Sequence, residues 1–296
     1  MSDWIAVDWG TTALRATRMA GDRPGETRSS ADGMSGLSPD AFEPRLLALV
    51  DDWLPAGAVT RVLVCGMAGA RQGWHEAPYR AIPCAPLGDA TAAVRARDPR
   101  LSVVIVPGLR QDRPHPDVMR GEETQLAGIL AADPGFDGCA CLPGTHTKWV
   151  HVSAGEVVSF RTAMTGETFA LLAERSVLRH SLGDGDVWDG DAFSAAVSDA
   201  LSRPETLTAR LFQLRAADLL HGQDPAVARA VLSGLLIGAE LAATKPWWMG
   251  RDVVICGSDR TGPVYDAALR TQGVAPRLRS ADRMTLAGLT ALWEQT

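Results

Sequence analysis

The chain has 296 residues, 46% of them hydrophobic and 22% charged, with a formal net charge of −6. That is enough for two globular domains with separate cores, and the acidic balance excludes a basic nucleic-acid-binding stripe as the organising feature. The longest apolar candidate, residues 231–243, contains Ser233 and Glu240 and falls short of a bilayer crossing, so no membrane partner is expected. Met1-Ser2-Asp3-Trp4 leads directly into a strand-like run with no basic or apolar leader, which suits a cytoplasmic protein. Of the five cysteines, Cys65, Cys139, Cys141 and Cys256 lie in apolar strand-like runs and none forms a Cys-x-x-Cys pair. They read as small buried hydrophobes in a reducing compartment.

In chain order, residues 4–9 predict a buried strand and 12–19 its antiparallel partner, with Leu14 and Ala16 alternating against Arg15 and Thr17. A helix follows over 40–54, with Phe42, Leu46, Leu49, Val50 and Trp53 on one face. Residues 61–65 and 103–106 are short strands of the buried kind. The stretch 107–117, rich in Pro, Arg and Asp, reads as a crossing between domains, which places the domains at 1–112 and 113–296. A helix begins near Gly121, and strands follow at 139–142, 147–152 and 157–161. From 166 to 243 the pattern is mostly helical, broken near 182–190 and 222–225. A strand at 253–256, a helix from about 261, a strand at 277–279 and a helix to 293 complete the chain. Strands alternating with helices predict an α/β architecture. Apolar strand, Gly-Thr turn, strand occurs twice, at Val7-Asp8-Trp9-Gly10-Thr11-Thr12 and at Leu142-Pro143-Gly144-Thr145-His146-Thr147-Lys148, and suggests two related domains facing one another.

Walker-type, dinucleotide-fingerprint, His-Glu-x-x-His and Gly-x-Ser-x-Gly signatures are all missing. Residues 184–191, Asp-Gly-Asp-Val-Trp-Asp-Gly-Asp, hint at a calcium loop but lack the fifth-position acid and the closing Glu, so a solvated loop ahead of a helix is the better reading. The Gly-Thr turns offer a different way to hold an anion, with backbone N–H groups exposed by glycine and Thr hydroxyls as added donors. Asp8 beside the first turn could hold Mg²⁺ directly or through water. A single such turn is more simply a hairpin. Two in matched contexts, followed by a strand ending in Gly257-Ser258, favour phosphate binding.

These three elements resemble the two phosphate motifs and the adenosine motif of the sugar-kinase, actin and heat-shock ATPase superfamily. More narrowly, the chain resembles the 2-dehydro-3-deoxygalactonokinase family. The resemblance rests on Cys65-Gly66-Met67-Ala68-Gly69-Ala70-Arg71-Gln72-Gly73-Trp74, Asp117-Val118-Met119-Arg120-Gly121-Glu122-Glu123-Thr124-Gln125, Met164-Thr165-Gly166-Glu167 and Leu232-Ser233-Gly234-Leu235-Leu236-Ile237-Gly238-Ala239-Glu240. It implies a two-domain actin-like ATPase fold of the ribonuclease H type, with an active-site cleft between the domains. It also implies transfer of phosphate from MgATP to the C6 hydroxyl of 2-dehydro-3-deoxy-D-galactonate, in galactonate breakdown. ATP would meet Gly10, Thr11, Thr12, Gly144, Thr145, His146, Thr147, Lys148, Gly257 and Ser258, with Lys148 equally readable as a strand-edge residue. Asp8 would sit on the metal side, and the base is Glu122 or Glu123, with Glu122 slightly favoured. The substrate carboxylate calls for an Arg fork. Arg71 is the first choice, with Arg15, Arg120 and Arg161 as alternatives, Gln72 in the same loop and Trp74 as a wall for the sugar. Thr165 and Glu167 are substrate contacts or helix caps. The expected partners are ATP and a small sugar acid. Oligomeric state stays open, with a homodimer as the candidate. Rival readings are a kinase for another 2-keto-3-deoxy sugar acid and a non-kinase ATP-binding protein of the superfamily. A DNA-binding repressor would need a helix-turn-helix module ahead of the first phosphate strand.

Overall fold

The computed structural model describes residues 3–88, 90–183 and 188–295. Two compact units emerge. Unit 1 comprises residues up to Asp137, Val152–Phe160, and the chain from Ala281 onward; unit 2 comprises Gly138–His151 and Arg161–Ser280. Contacts therefore do not divide at 112/113.

Unit 1 is built on β1 (Asp3–Trp9), β2 (Leu14–Ala20), β3 (Arg23–Ser30), α1 (Phe42–Val50), β4 (Thr60–Gly66), β5 (Arg80–Ala81), β6 (Ala92–Val94) and β7 (Leu101–Ile105). Its main sheet runs β3-β2-β1-β4-β7-β6. The β1–β2–β3 ribbon is antiparallel, while β1, β4 and β7 are parallel neighbours. The predicted helix over 40–54 is α-helical only across α1, with 3-10 turns at Pro39–Ala41 and Asp51–Trp53. Polar, exposed β3 has no alternation to betray it in the sequence. The stretch 107–117 is not a domain crossing. It carries β8 (Leu109–Gln111), and β9 (Asp117–Met119) follows in a small sheet of order β5-β8-β9. Buried Gln111 fixes that segment: its side chain accepts the Phe160 N–H at 2.9 Å and donates to the His115 carbonyl at 3.1 Å.

Period two on β1 sorts the two cores of unit 1. Ile5, Val7 and Trp9 pack with Phe42, Leu46 and Val50 on one face. Trp4 and Ala6 point the other way, toward Leu63, Cys65, Leu289 and Leu292. That second face is covered by the last helix, α9 (Ala281–Glu294), whose Trp293 stacks on Trp4 at 5.2 Å and 8°. The sequence therefore places the C-terminal helix in the wrong half; burying the Trp4 face requires it in unit 1. Helix α2 (Glu122–Ala132) lies against α9 so closely that a Cβ on Gly288 would overlap the Thr124 carbonyl, and one on Gly128 the Met284 carbonyl. Gly288→Val is expected to cost about 2–3 kcal/mol, seen as an earlier urea midpoint with an unchanged slope.

Unit 2 repeats the arrangement, with the segment Val152–Phe160 of its two outer strands grouped by contacts with unit 1. Its strands β10 (Gly138–Leu142), β11 (Thr147–Ser153), β12 (Glu156–Ala163), β13 (Val253–Gly257) and β14 (Arg277–Ser280) form a sheet of order β12-β11-β10-β13-β14. In both units the order is third, second, first, fourth and then the next long strand. The helices are α3 (Thr165–Arg175), α4 (Gly190–Ser202), α5 (Leu207–His221), α6 (Pro225–Ala243), the short α7 (Lys245–Trp248) and α8 (Thr261–Arg270). Helix α6 is long and apolar enough to cross a bilayer, contrary to the expectation from 231–243, but 56% of its most apolar window is buried inside the protein. Its Ala230, Ile237 and Leu241 join Trp149, Phe193 and Val197 in the unit's core. Of the calcium-loop reading, residues 184–187 lie outside the described residues; Asp189 caps α4 through the Ala192 N–H at 2.8 Å. Four of the cysteines are buried as expected, and Cys84 is half-buried.

Candidate active site

In unit 1 the chain leaves β1 at Trp9 and turns through residues 10–13 into β2. Gly10 closes this turn by donating its N–H to the Ala13 carbonyl at 2.9 Å, so that donor is not free for a phosphate. Neither Gly10 nor Gly144 takes a positive φ. A brace unforeseen in the sequence holds the turn from behind: Met34 N–H donates to Gly10 O at 3.1 Å, and Ser35 gives its N–H and hydroxyl to Thr11 O at 3.0 and 2.9 Å. With its carbonyls so engaged, the loop presents Thr11 and Thr12 to solvent.

Asp8 sits one residue before the end of β1, on the same face as Trp4 and Ala6, and so looks toward α2 and α9. The carboxyl is pushed above its ordinary value by burial, is held down by the Arg15 guanidinium, and is pushed up further by Asp282 and Glu122. Arg15 itself is ion-paired with Asp282 at the start of α9. A cavity of about 220 Å³ opens here, lined by Asp8, Arg15, Thr17, Thr27, Asp282 and Thr285 among others. Gly66 ends β4 beside Asp8 at φ 84°, and Gly121 meets it from the start of α2 at φ 104°. Side chains at either glycine would separate the α2 N-terminus from the Asp8 strand end.

The two candidate bases have different surroundings. Glu122 is half-buried, its Oε2 accepts the Arg120 backbone N–H at 2.9 Å, and its charge is felt at Asp8. Glu123 is fully buried and folds back on its own helix start, accepting the Gly121 N–H at 3.0 and 2.7 Å and the Thr124 hydroxyl at 3.2 Å. Burial, then the neighbouring Glu122 charge, push Glu123 up to about 8. The folded protein thus holds a proton that the unfolded chain releases above its ordinary 4.5. Stability is greatest below that value and falls as pH rises toward the folded value, by up to about 1.4 kcal/mol per pH unit. Glu123→Gln is expected to flatten this fall in urea midpoints taken between about pH 5 and about pH 8.

Among the arginines, Arg71 has a side chain 81% exposed, paired loosely with Glu76 at 3.7 Å. Gln72 beside it is also exposed. Trp74 is not a free wall: it packs into the core, edge-on to Trp9 at 6.0 Å and stacked on Phe42 at 6.4 Å. Arg120 is only 9% exposed. One terminal nitrogen donates to the Ala77 carbonyl at 2.7 Å and the fork lies over the Tyr79 ring at 4.3 Å. Its Nε and Nη1 have no hydrogen-bond partner among the described residues. Such buried orphan donors are uncommon and costly.

In unit 2, the exposed bend 144–146 joins β10 to β11. Helix α3 seats its first turn on it: Glu167 N–H donates to Thr145 O at 3.0 Å, and Gly166 lies so near the Gly144 carbonyl that a Cβ there would overlap it. The Glu167 carboxylate holds His146 at 2.6 Å. Glu167 is therefore tied to the loop in this unit. Thr147 and Lys148 differ from the exposed bend. Thr147 is buried, sharing a hydrogen bond of 2.8 Å with the Tyr265 hydroxyl, and Lys148 is nearly buried, donating to Thr162 at 3.0 Å. At the end of β13, Gly257 is buried while Ser258 is exposed and caps α8 through reciprocal bonds with Thr261, at 3.1 and 3.2 Å. Arg161 lies over Trp247 at 5.4 Å. Among the described residues no group of three or more His, Cys, Asp and Glu is arranged to hold a metal.

Sequence reasoning missed Asp282, whose place beside Arg15 exists only because α9 returns to unit 1. It also missed the work of Glu240, although a lone acid inside the apolar run 231–243 was a visible signal.

A model of the 2-keto-3-deoxy-galactonokinase family matches residues 8–292. A relative from Rhizobium meliloti (strain 1021), assigned as 2-dehydro-3-deoxygalactonokinase DgoK1, is 42% identical over 298 residues, covering 97% of this chain and 95% of the relative. The 2-dehydro-3-deoxygalactonokinase of Escherichia coli (strain K12) is 33% identical over 295 residues, covering 98% and 97%. A crystal structure of a protein from Sinorhizobium meliloti, assigned to the same activity, superposes with a TM-score of 0.88 at 39% identity over 99% of this chain and 98% of that one. The repeated strand order is that of the actin-like ATPase fold. With the family match running almost end to end, the chain belongs to the 2-keto-3-deoxy-galactonokinase family.

Proposed function

We propose that the protein transfers the terminal phosphoryl group of MgATP to the C6 hydroxyl of 2-dehydro-3-deoxy-D-galactonate, in the breakdown of galactonate. Family membership supports a sugar-acid kinase. The observation that carries the acidic substrate is Arg120, a buried guanidinium with two donors left open beside the Glu122 segment. A carboxylate would accept a charge-assisted hydrogen bond from this guanidinium, at Nε or at Nη1.

In this reading the Thr11 and Thr12 hydroxyls donate to phosphate oxygens, as does the Thr145 loop, and the Gly257-Ser258 end of β13 meets the nucleoside. Glu122 takes the proton of the attacking hydroxyl. The bond from the substrate oxygen to the γ-phosphorus forms as the bond to the β-phosphate oxygen breaks, and ADP leaves. Asp8 fits a divalent cation, because Glu122 and Asp282 crowd it with negative charge that Arg15 opposes alone among the groups acting on it. One carboxylate is enough where phosphates and water complete the shell. Bound there, Mg²⁺ would neutralise phosphate charge.

ADP release by the purified protein, with MgATP and a panel of galactonate- and gluconate-derived 2-keto-3-deoxy acids and neutral hexoses, tests the reading. Turnover is expected with the galactonate-derived acid. Release that needs no sugar acid would remove the kinase reading, and equal kcat/KM for the gluconate epimer would remove the narrow substrate.

A further inference from the structure

We propose that Glu240 is a positioning residue for nucleotide binding, acting through Tyr265 and Thr165 on the Gly144-Thr145-His146 loop of unit 2. It rests on the reading above, that ATP phosphates meet this loop. Glu240 lies near the C-terminal end of α6, 5% exposed, beside the apolar core of unit 2. Its Oε1 accepts the Trp149 indole N–H from β11 at 2.6 Å, and its Oε2 accepts the Tyr265 hydroxyl from α8 at 2.8 Å. The Thr165 side chain, first residue of α3, donates to the same carboxylate.

One carboxylate thus ties together three elements that reach the candidate nucleotide site. Strand β11 follows the phosphate loop directly, α8 follows the Gly257-Ser258 turn, and α3 seats its first turn on Gly144-Thr145. Because Tyr265 gives its proton to Glu240, the Thr147 hydroxyl must donate to Tyr265 across their 2.8 Å contact. The chain of donors runs one way only while the carboxylate is ionised. A protonated Glu240 becomes a donor itself, and with the Trp149 N–H able only to donate, its proton goes to the Thr165 or the Tyr265 oxygen; given to Tyr265, it reverses the chain and turns Thr147 from donor to acceptor, at the residue next to His146.

Burial pushes Glu240 up to about 7 against the opposing hydrogen bonds from Thr165, Trp149 and Tyr265, so this reversal falls near neutral pH. The titratable groups facing it are Tyr265 from α8 and the Cys141 thiol from β10, with Cys139 and Cys256 beyond. Burial raises Cys141 and Tyr265 well above their ordinary values and Cys139 to about 12, which leaves them neutral where Glu240 titrates.

The test is calorimetric affinity for a non-hydrolysable MgATP analogue, at about pH 6 and about pH 8, in wild type, Glu240→Gln and Tyr265→Phe, with KM for ATP and for the sugar acid measured alongside. Glu240→Gln is expected to bind the analogue about tenfold more weakly at the higher pH. It should also lose the part of the pH dependence that the nucleotide's own titration does not supply, since that titration is common to all three proteins. The KM for the sugar acid should stay within about twofold, which separates positioning of the nucleotide from general damage. If Glu240→Gln fails to fold, Tyr265→Phe keeps the ring and the carboxylate, and the same loss of pH dependence is expected from it. A folded Glu240→Gln that copies the wild-type affinity and pH profile overturns the proposal alone. A wild type that binds no nucleotide overturns the functional reading and the proposal with it.

Discussion

Glu122→Gln is expected to lower kcat by about 10²–10⁴-fold, the usual worth of a positioned base, with KM for both substrates little changed. The geometry singles out Glu122 over its neighbour. One oxygen of Glu122 is fixed by the Arg120 N–H while the residue remains half-exposed and within electrostatic reach of Asp8. Glu123 spends both oxygens on its own helix start and is fully buried. Burial also keeps Glu123 mostly protonated near neutral pH, the wrong state for a base. Glu123→Gln should therefore retain kcat within about tenfold and show itself instead in the pH dependence of unfolding. Steady-state kinetics on the two variants, with thermal melts as controls, decides the assignment. A Glu122→Gln enzyme with near-normal kcat would sink it.

Arg120→Met should cost about 10²–10³-fold in kcat/KM for the sugar acid and leave nucleotide affinity unchanged. Removing a buried guanidinium leaves the bound carboxylate without its partner at a buried position, which is why the loss exceeds that of a surface ion pair. Met retains much of the aliphatic stem against Tyr79, limiting damage to packing. Arg120→Lys would restore charge but not the planar fork, so partial recovery is expected. By contrast Arg71→Ala, at a side chain 81% exposed, should change kcat/KM by less than about threefold. Should Arg71→Ala prove the more damaging of the two, the carboxylate belongs to that loop instead. Each variant is read by initial rates over a range of sugar-acid concentration at saturating MgATP.

Much of this site was legible in the residue order because its parts are short, local and chemically distinctive. The two Gly-Thr turns interrupt apolar strands, and both appear as exposed bends at the end of the first strand of matching sheets. Gly121-Glu122-Glu123 begins a helix as expected, and Gly257-Ser258 ends a strand. Side-chain direction was another matter. Thr147 and Thr145 are two residues apart in one motif, yet one is buried against Tyr265 and the other exposed, because Thr147 opens β11 inside the sheet while Thr145 lies in the bend before it. Trp74 looked like an open wall for a sugar, but it also packs against Phe42 and Trp9 and is only partly exposed.

By itself, the sequence determined the α/β class, the repeated strand–turn–strand pattern and the family. Each of these depends on residues adjacent in the chain. The tertiary structure alone decided which unit α9 joins, which arginine is buried, which glutamate faces Asp8 and what Glu240 holds. Those outcomes follow from burial. The Trp4 face of the first sheet had to be covered, and covering it brought Asp282 beside Arg15. An acid within an apolar helix had to find donors, and the ones within reach were Trp149, Tyr265 and Thr165, far apart in the chain and adjacent only in the fold.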